Sequence, residues 1–148
     1  MNSKIHQIGL TIFWTEGNHS QKGKGGKRVE VVNSNPEIIK IFLTFLRRFK
    51  IDENRLKGRV QVHDKNEVKK AELFWSKISL ISRKQFQKPM IKKSKVHKTS
   101  TNILPYGTFT VTYNDTKLFL FLSKEVQKMI ERMKWDEREY HNSSLNYH

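Results

Sequence analysis

The chain of 148 residues carries 29 Lys+Arg against 14 Asp+Glu, a formal charge of +15, and no Cys. That length allows one domain whose core needs no staples, and the missing sulfur excludes disulfide scaffolds, thiol nucleophiles and cysteine-ligated zinc. An aromatic content of 11% is too high for a disordered polybasic chain, and a folded domain this basic attracts polyanions, of which nucleic acid is the most abundant inside a cell.

In chain order, Asn2 or Ser3 can cap a first helix whose Ile5, Ile8, Gly9, Ile12 and Phe13 follow three-and-four spacing, with Gly17 as its C-terminal stop. The segment Ser20 to Arg28, SQKGKGGKR, is a basic loop carrying Lys22, Lys24, Lys27 and Arg28. It precedes a strand, not a helix, so it is not a nucleotide-binding glycine loop. Arg28 to Asn33 reads as a short strand, and Asn35 as N-cap with Pro36 at the first position opens a core helix through Ile38, Ile41, Phe42, Phe45, Leu46 and Phe49. Leu56 to His63 alternates, with Leu56, Gly58, Val60 and Val62 on one face and Lys57, Arg59, Gln61 and His63 on the other.

Asp64 or Asn66 begins a third helix along Val68, Ala71, Phe74, Trp75 and Ile78. Between Arg83 and Lys98 lie seven cations and no carboxylate, Lys88, Lys92, Lys93 and Lys95 among them, and a short extended piece is expected near Phe86 to Lys92. Tyr106 to Tyr113 alternates again, with Phe109, Val111 and Tyr113 inward and Thr108, Thr110 and Thr112 outward. Asp115 caps a last helix through Leu118, Leu122, Val126, Met129, Ile130 and Met133. Residues 1–135 are read as one domain and 136–148 as a polar tail. The class is α+β, with helices on one side of a mixed or antiparallel sheet and strands joined by hairpins or single helices.

The outward face of that sheet, with Lys57, Arg59, Gln61, Thr108, Thr110 and Thr112, has the donors that serve phosphates and base edges in a duplex groove. A merely solvated antiparallel face has the same alternation, and the net charge is what turns the reading toward DNA. No apolar run nears the roughly 18 to 20 residues that span a bilayer, and MNSKIHQIGL has no signal-peptide core. The expectation is a soluble, non-secreted protein of the cytoplasm or an organellar matrix, with no membrane partner.

The segment Ile8 to Gly17, IGLTIFWTEG, closes an apolar helix on an acid followed by glycine. With the element order that follows, over residues 4 to about 133, it resembles the LAGLIDADG homing endonuclease domain. That resemblance implies a saddle-shaped sheet backed by helices, and a homodimer packed through the first helix. It also implies a double-stranded DNA substrate and Mg²⁺ as cofactor. Glu16 falls on the family's acidic position and Gly17 on its terminal glycine, so the two form the metal set and Glu16 the catalytic acid. Trp14 and Thr15 depart from the small residues that the family places where two such helices meet. In the family a basic residue beside the site assists. Lys92 is taken for it, with Lys88 and Lys93 as alternatives. His19 can position water or be simply solvated. One motif per chain makes a dimer necessary, since one carboxylate cannot hold the cation alone. The other reading on the same scaffold is a DNA-binding regulator or RNA-processing cofactor without cleavage. A single-strand RNA reader is disfavoured because the outer face has Thr and Lys in place of aromatics.

Overall fold

The computed structural model describes residues 3–19, 26–92 and 105–133. Four helices, α1 (Lys4–Glu16), α2 (Pro36–Arg47), α3 (Val68–Ser79) and α4 (Thr116–Arg132), alternate with strands β1 (Arg28–Asn33), β2 (Leu56–Val62), β3 (Met90–Ile91) and β4 (Thr108–Asn114). The fold is mixed α+β. Caps written into the sequence start the helices: Ser3 accepts from the His6 amide, Asn35 from Glu37 and Asp115 from Leu118. Asp64 caps a 3₁₀ turn over Lys65–Glu67, and α3 begins only after it.

The sheet order is β1-β4-β2-β3. β4 lies antiparallel to both β1 and β2, while β3 runs parallel to β2, so the sheet is mixed. The hairpins expected from the sequence are not found among the described connections. β1 reaches β2 through α2, β2 reaches β3 through α3, and β4 inserts between β1 and β2. The extended piece near Phe86 is present as a bridge from Phe86 to Gly58, followed by the two residues of β3.

One face of the sheet is the core. Val29, Val31, Leu56, Val60, Val62, Phe109 and Val111 are buried beneath Phe13 of α1, Phe42 and Phe45 of α2, Trp75 of α3 and Leu122 of α4. Trp75 stacks on Phe109 with ring centroids 5.1 Å apart, and its indole N–H donates to the Tyr106 carbonyl at 2.9 Å, which satisfies the one polar atom that its burial desolvates. Gly58 permits this packing, since a Cβ there would lie 2.4 Å from the Phe109 ring.

Three expectations at the core are corrected. Ile8 is 46% exposed and Leu10 takes its place inside, because α1 is wedged against α2, α4 and β1 and buries Gly9, Leu10, Ile12 and Phe13. In α2 the buried set is shifted to Ile39, Phe42, Leu43, Phe45 and Leu46, with Ile38, Ile41 and Phe49 only partly covered. Met133 is 53% exposed just past α4, and in the first turn of that helix Phe119 is buried where Leu118 was expected. No described helix is long and apolar enough to cross a membrane.

Candidate nucleic-acid interface

The other sheet face is covered by none of the four helices. Strand register aligns its side chains in rows: Glu30, Thr112 and Lys57; then Val32, Thr110 and Arg59; then Thr108 and Gln61, with Met90 at the β3 edge. Lys57, Arg59, Gln61, Thr108 and Thr110 are half-buried, as expected for side chains standing on an open sheet. Thr112 is a correction. It is 4% exposed, and its hydroxyl donates to Glu30 Oε2 at 3.1 Å, so it supports the face instead of reading from it. Glu30 also accepts from Arg28 Nε at 3.0 Å and Asn18 Nδ2 at 3.2 Å. One carboxylate therefore gathers Arg28, Asn18 and Thr112 at the start of β1.

Arg59 differs from its neighbours. Its Nε is buried and has no hydrogen-bond partner among the described residues. An unsatisfied donor costs about 1–3 kcal/mol, more for a charged group, so the guanidinium is held in the middle of the face at a standing cost. A ligand acceptor that draws the fork into a paired position relieves it.

Glu16 ends α1 in solvent. Asn33 Nδ2 donates to Glu16 Oε2 at 3.1 Å, and Oε1 has no donor among the described residues. Gly17 does not take the left-handed conformation of a glycine stop. It is extended (φ −80°, ψ 153°), its N–H returns to the Phe13 carbonyl at 3.1 Å, and it bridges Val31. A Cβ at Gly17 would lie 2.2 Å from the Phe13 oxygen, so glycine is required by close approach and not by a positive φ. Asn18 then pairs through its N–H with the Glu30 carbonyl at 3.1 Å, which lays the chain along the outer edge of β1. His19 Nε2–H donates to the same Phe13 carbonyl at 2.9 Å and its ring packs edge-on against Phe13, so this nitrogen is engaged in closing α1.

Lys92 is not brought to Glu16 within one chain. Its backbone N–H donates to the Val62 carbonyl and its carbonyl accepts from His63 Nδ1, both at 2.9 Å, which pins it beyond β3. Glu16 lies at β1, and three strand spacings at about 4.8 Å each separate the two edges. Lys88 and His63 share the β2–β3 side and are exposed, while Lys27 and Arg28 flank the start of β1. Lys22, Lys24, Lys93 and Lys95 lie outside the described residues, as does the tail 136–148. Among the described residues no three His, Asp or Glu side chains gather into a metal-holding group.

The sequence reading passed over a groove on α3, although Lys69, Leu73 and Lys77 at four-residue spacing were there to signal it. Compared with protein-family models, curated proteins and solved structures, the chain gives no match.

Proposed function

We propose that this chain binds double-stranded DNA across its open sheet face and, as a two-fold dimer through α1, cleaves both strands in a Mg²⁺-dependent reaction, in the manner of the LAGLIDADG homing endonucleases that it resembles. The observation that carries the reading is the sheet face on which none of the described helices packs, a four-stranded surface with Lys57, Arg59, Gln61, Thr108 and Thr110 in register and Arg59 Nε without an acceptor among the described residues. Arg and Lys engage phosphates and guanine edges, and Gln and Thr engage base edges, which is the donor set that groove reading requires. The resemblance implies a sheet backed by helices on one side, and the four-stranded sheet with its helices on the core face is compatible with that.

The cleavage half rests on Glu16. A carboxylate with one oxygen oriented by Asn33 and the other unpartnered is a hard donor of the type that Mg²⁺ accepts. Glu16 from each of two copies, with the backbone oxygens of Gly17 beside them, would hold the cation, which supplies charge neutralisation and an acidified water. Residues of α1 that face outward, Ile8 at 46% and Trp14 at 48% exposure, supply the apolar contact between copies. Glu16 orients the site, and the sheet cations anchor the duplex.

The non-cleaving DNA-binding regulator remains the second reading, and the placement of Lys92 at the edge opposite Glu16 favours it. One experiment separates the two. The purified chain is incubated with a mixed duplex library and Mg²⁺. Enrichment without strand breaks supports the regulator, breaks at an approximately palindromic site support the nuclease, and neither enrichment nor breaks rejects both.

A further inference from the structure

On the helix side of the molecule, α3 and the turn before β4 border a shallow, open groove of about 590 Å³. Its floor is Leu73, Phe74 and Tyr106, and its rim is Lys69, Lys70 and Lys77. Among the described residues none of the three ammonium groups belongs to an ion pair, whereas Glu72, the acid of the same helix, is turned away to Arg83 at 3.3 Å. Leu73 is 51% exposed. Lys69, Leu73 and Lys77 stand one above the other at i, i+4 and i+8, so cations flank an apolar step along the helix. Uncompensated charges beside exposed apolar surface make a poor solvated face and a good complement to an amphipathic anion.

We propose that this groove docks an acidic peptide segment of a partner protein, with an apolar side chain set against Leu73 and Phe74 and carboxylates reaching Lys69, Lys70 and Lys77. Nucleic acid fits the groove less well. Single strands bind by stacking bases on free aromatic faces, but Tyr106 is already stacked on Phe74 at 3.9 Å and 9°, and the Lys70 ammonium lies 5.2 Å from the centre of its ring. A duplex on the open sheet face cannot reach the groove either, because α3 packs against the opposite face of β2 through Ala71 and Trp75. The peptide site is independent of DNA binding, and both ligands can be held at once. The chain would then link a protein partner to its nucleic acid.

The test uses the full chain and a fluorescein-labelled synthetic peptide that alternates Asp-Glu pairs with Leu and Phe. Binding is read by anisotropy and by the indole N–H resonance of Trp75, whose acceptor is the Tyr106 carbonyl at the groove wall. The expected result is saturable binding that moves the Trp75 resonance. The double variant K69E/K77E should weaken it by about tenfold or more, and L73Q should weaken it without altering the fold, because both lysines and Leu73 are exposed. R59A should leave peptide binding unchanged, and K69E/K77E should leave duplex binding unchanged, so each site fails or survives separately. Three results overturn the proposal: no binding, peptide binding that is lost in R59A but kept in K69E/K77E, or an oligonucleotide that moves the Trp75 resonance and displaces the peptide from the groove.

Discussion

Asn33 holds the Glu16 carboxylate from below, donating through Nδ2 at 3.1 Å, and with its own Oδ1 accepts the Asn35 amide at 2.7 Å. One side chain thus ties the end of α1 to the end of β1 and shapes the turn into α2. Asn33→Ala removes both bonds. The expected cost is about 1 kcal/mol of stability, since each is a partly solvated hydrogen bond, measured as a lower urea midpoint at unchanged slope. Duplex affinity should hold while any Mg²⁺-dependent nicking falls. Equal losses in binding and nicking would show that Asn33 matters only for folding.

Gly9 marks the closest approach of α1 to α2. A Cβ there would lie 2.1 Å from Phe45 Cγ, although in an exposed helix interior Gly→Ala adds roughly 1 kcal/mol of stability. At this position overpacking reverses the sign, and Gly9→Ala should destabilise by about 1–3 kcal/mol. Phe45→Ala in the same chain removes Cγ and Cδ1, the two nearest atoms that a Cβ at Gly9 would strike, so the double variant should be more stable than the sum of the two single effects. Additive denaturation midpoints would place the clash elsewhere.

What could be read from the sequence follows the range of the forces involved. Caps act over three residues, so Asn35 and Asp115 announced α2 and α4, and period-two alternation exposed both faces of β2 and β4. Strand order depends on contacts far apart in the chain, and nothing local told that β4 would enter between β1 and β2 or that β3 would run parallel. Side-chain reach was hidden for the same reason. Thr112 belongs to the outward series by parity, yet Glu30 of a neighbouring strand covers it. Lys92 lies within the basic block in sequence, but the short β3 carries it to the edge away from Glu16. Of the candidate interface, the residue types and their face were legible, and the separation between the acid and the lysine was not.

Salt tests the electrostatic half of the DNA reading. If the face and its flanking cations contact about six to ten phosphates, counterion release should lower affinity by about 10³ to 10⁵ between 50 and 200 mM salt. Anisotropy titrations of a labelled duplex over that range supply the slope. A nearly flat response would leave the charge of +15 without a polyanion on this face.

Arg59 sets stability against recognition. Arg59→Met keeps the aliphatic stem that covers the sheet but removes a buried Nε with no acceptor, so the free protein should be as stable as before or gain up to about 1 kcal/mol. On DNA the change runs the other way. Loss of the guanidinium fork should cost about 1–3 kcal/mol on the preferred site and little on unrelated duplexes, because a base contact is lost and not a general one. Lys57→Met, which removes a point charge, should weaken all duplexes alike. A uniform loss from Arg59→Met would assign this side chain to phosphate instead of a base edge.

Glu16→Gln addresses cleavage most directly. The glutamine keeps the shape of the side chain and still offers a carbonyl oxygen to Asn33 Nδ2, so the bond at 3.1 Å can persist and the fold should be unaffected. The charge that would hold Mg²⁺ is gone. At the C-terminus of α1 a carboxylate also opposes the helix dipole, so its neutralisation should add a few tenths of a kcal/mol of stability, about the size of a surface dipole contact. Duplex affinity should stay equal or rise slightly, since each copy loses a negative charge near phosphate. Strand breaks should disappear at every Mg²⁺ concentration. Wild-type chain that breaks DNA, beside a variant that binds and does not, assigns the chemistry to this carboxylate. A variant that still nicks removes Glu16 from the reaction, and with it the main support for the nuclease, leaving the regulator as the reading of the same sheet.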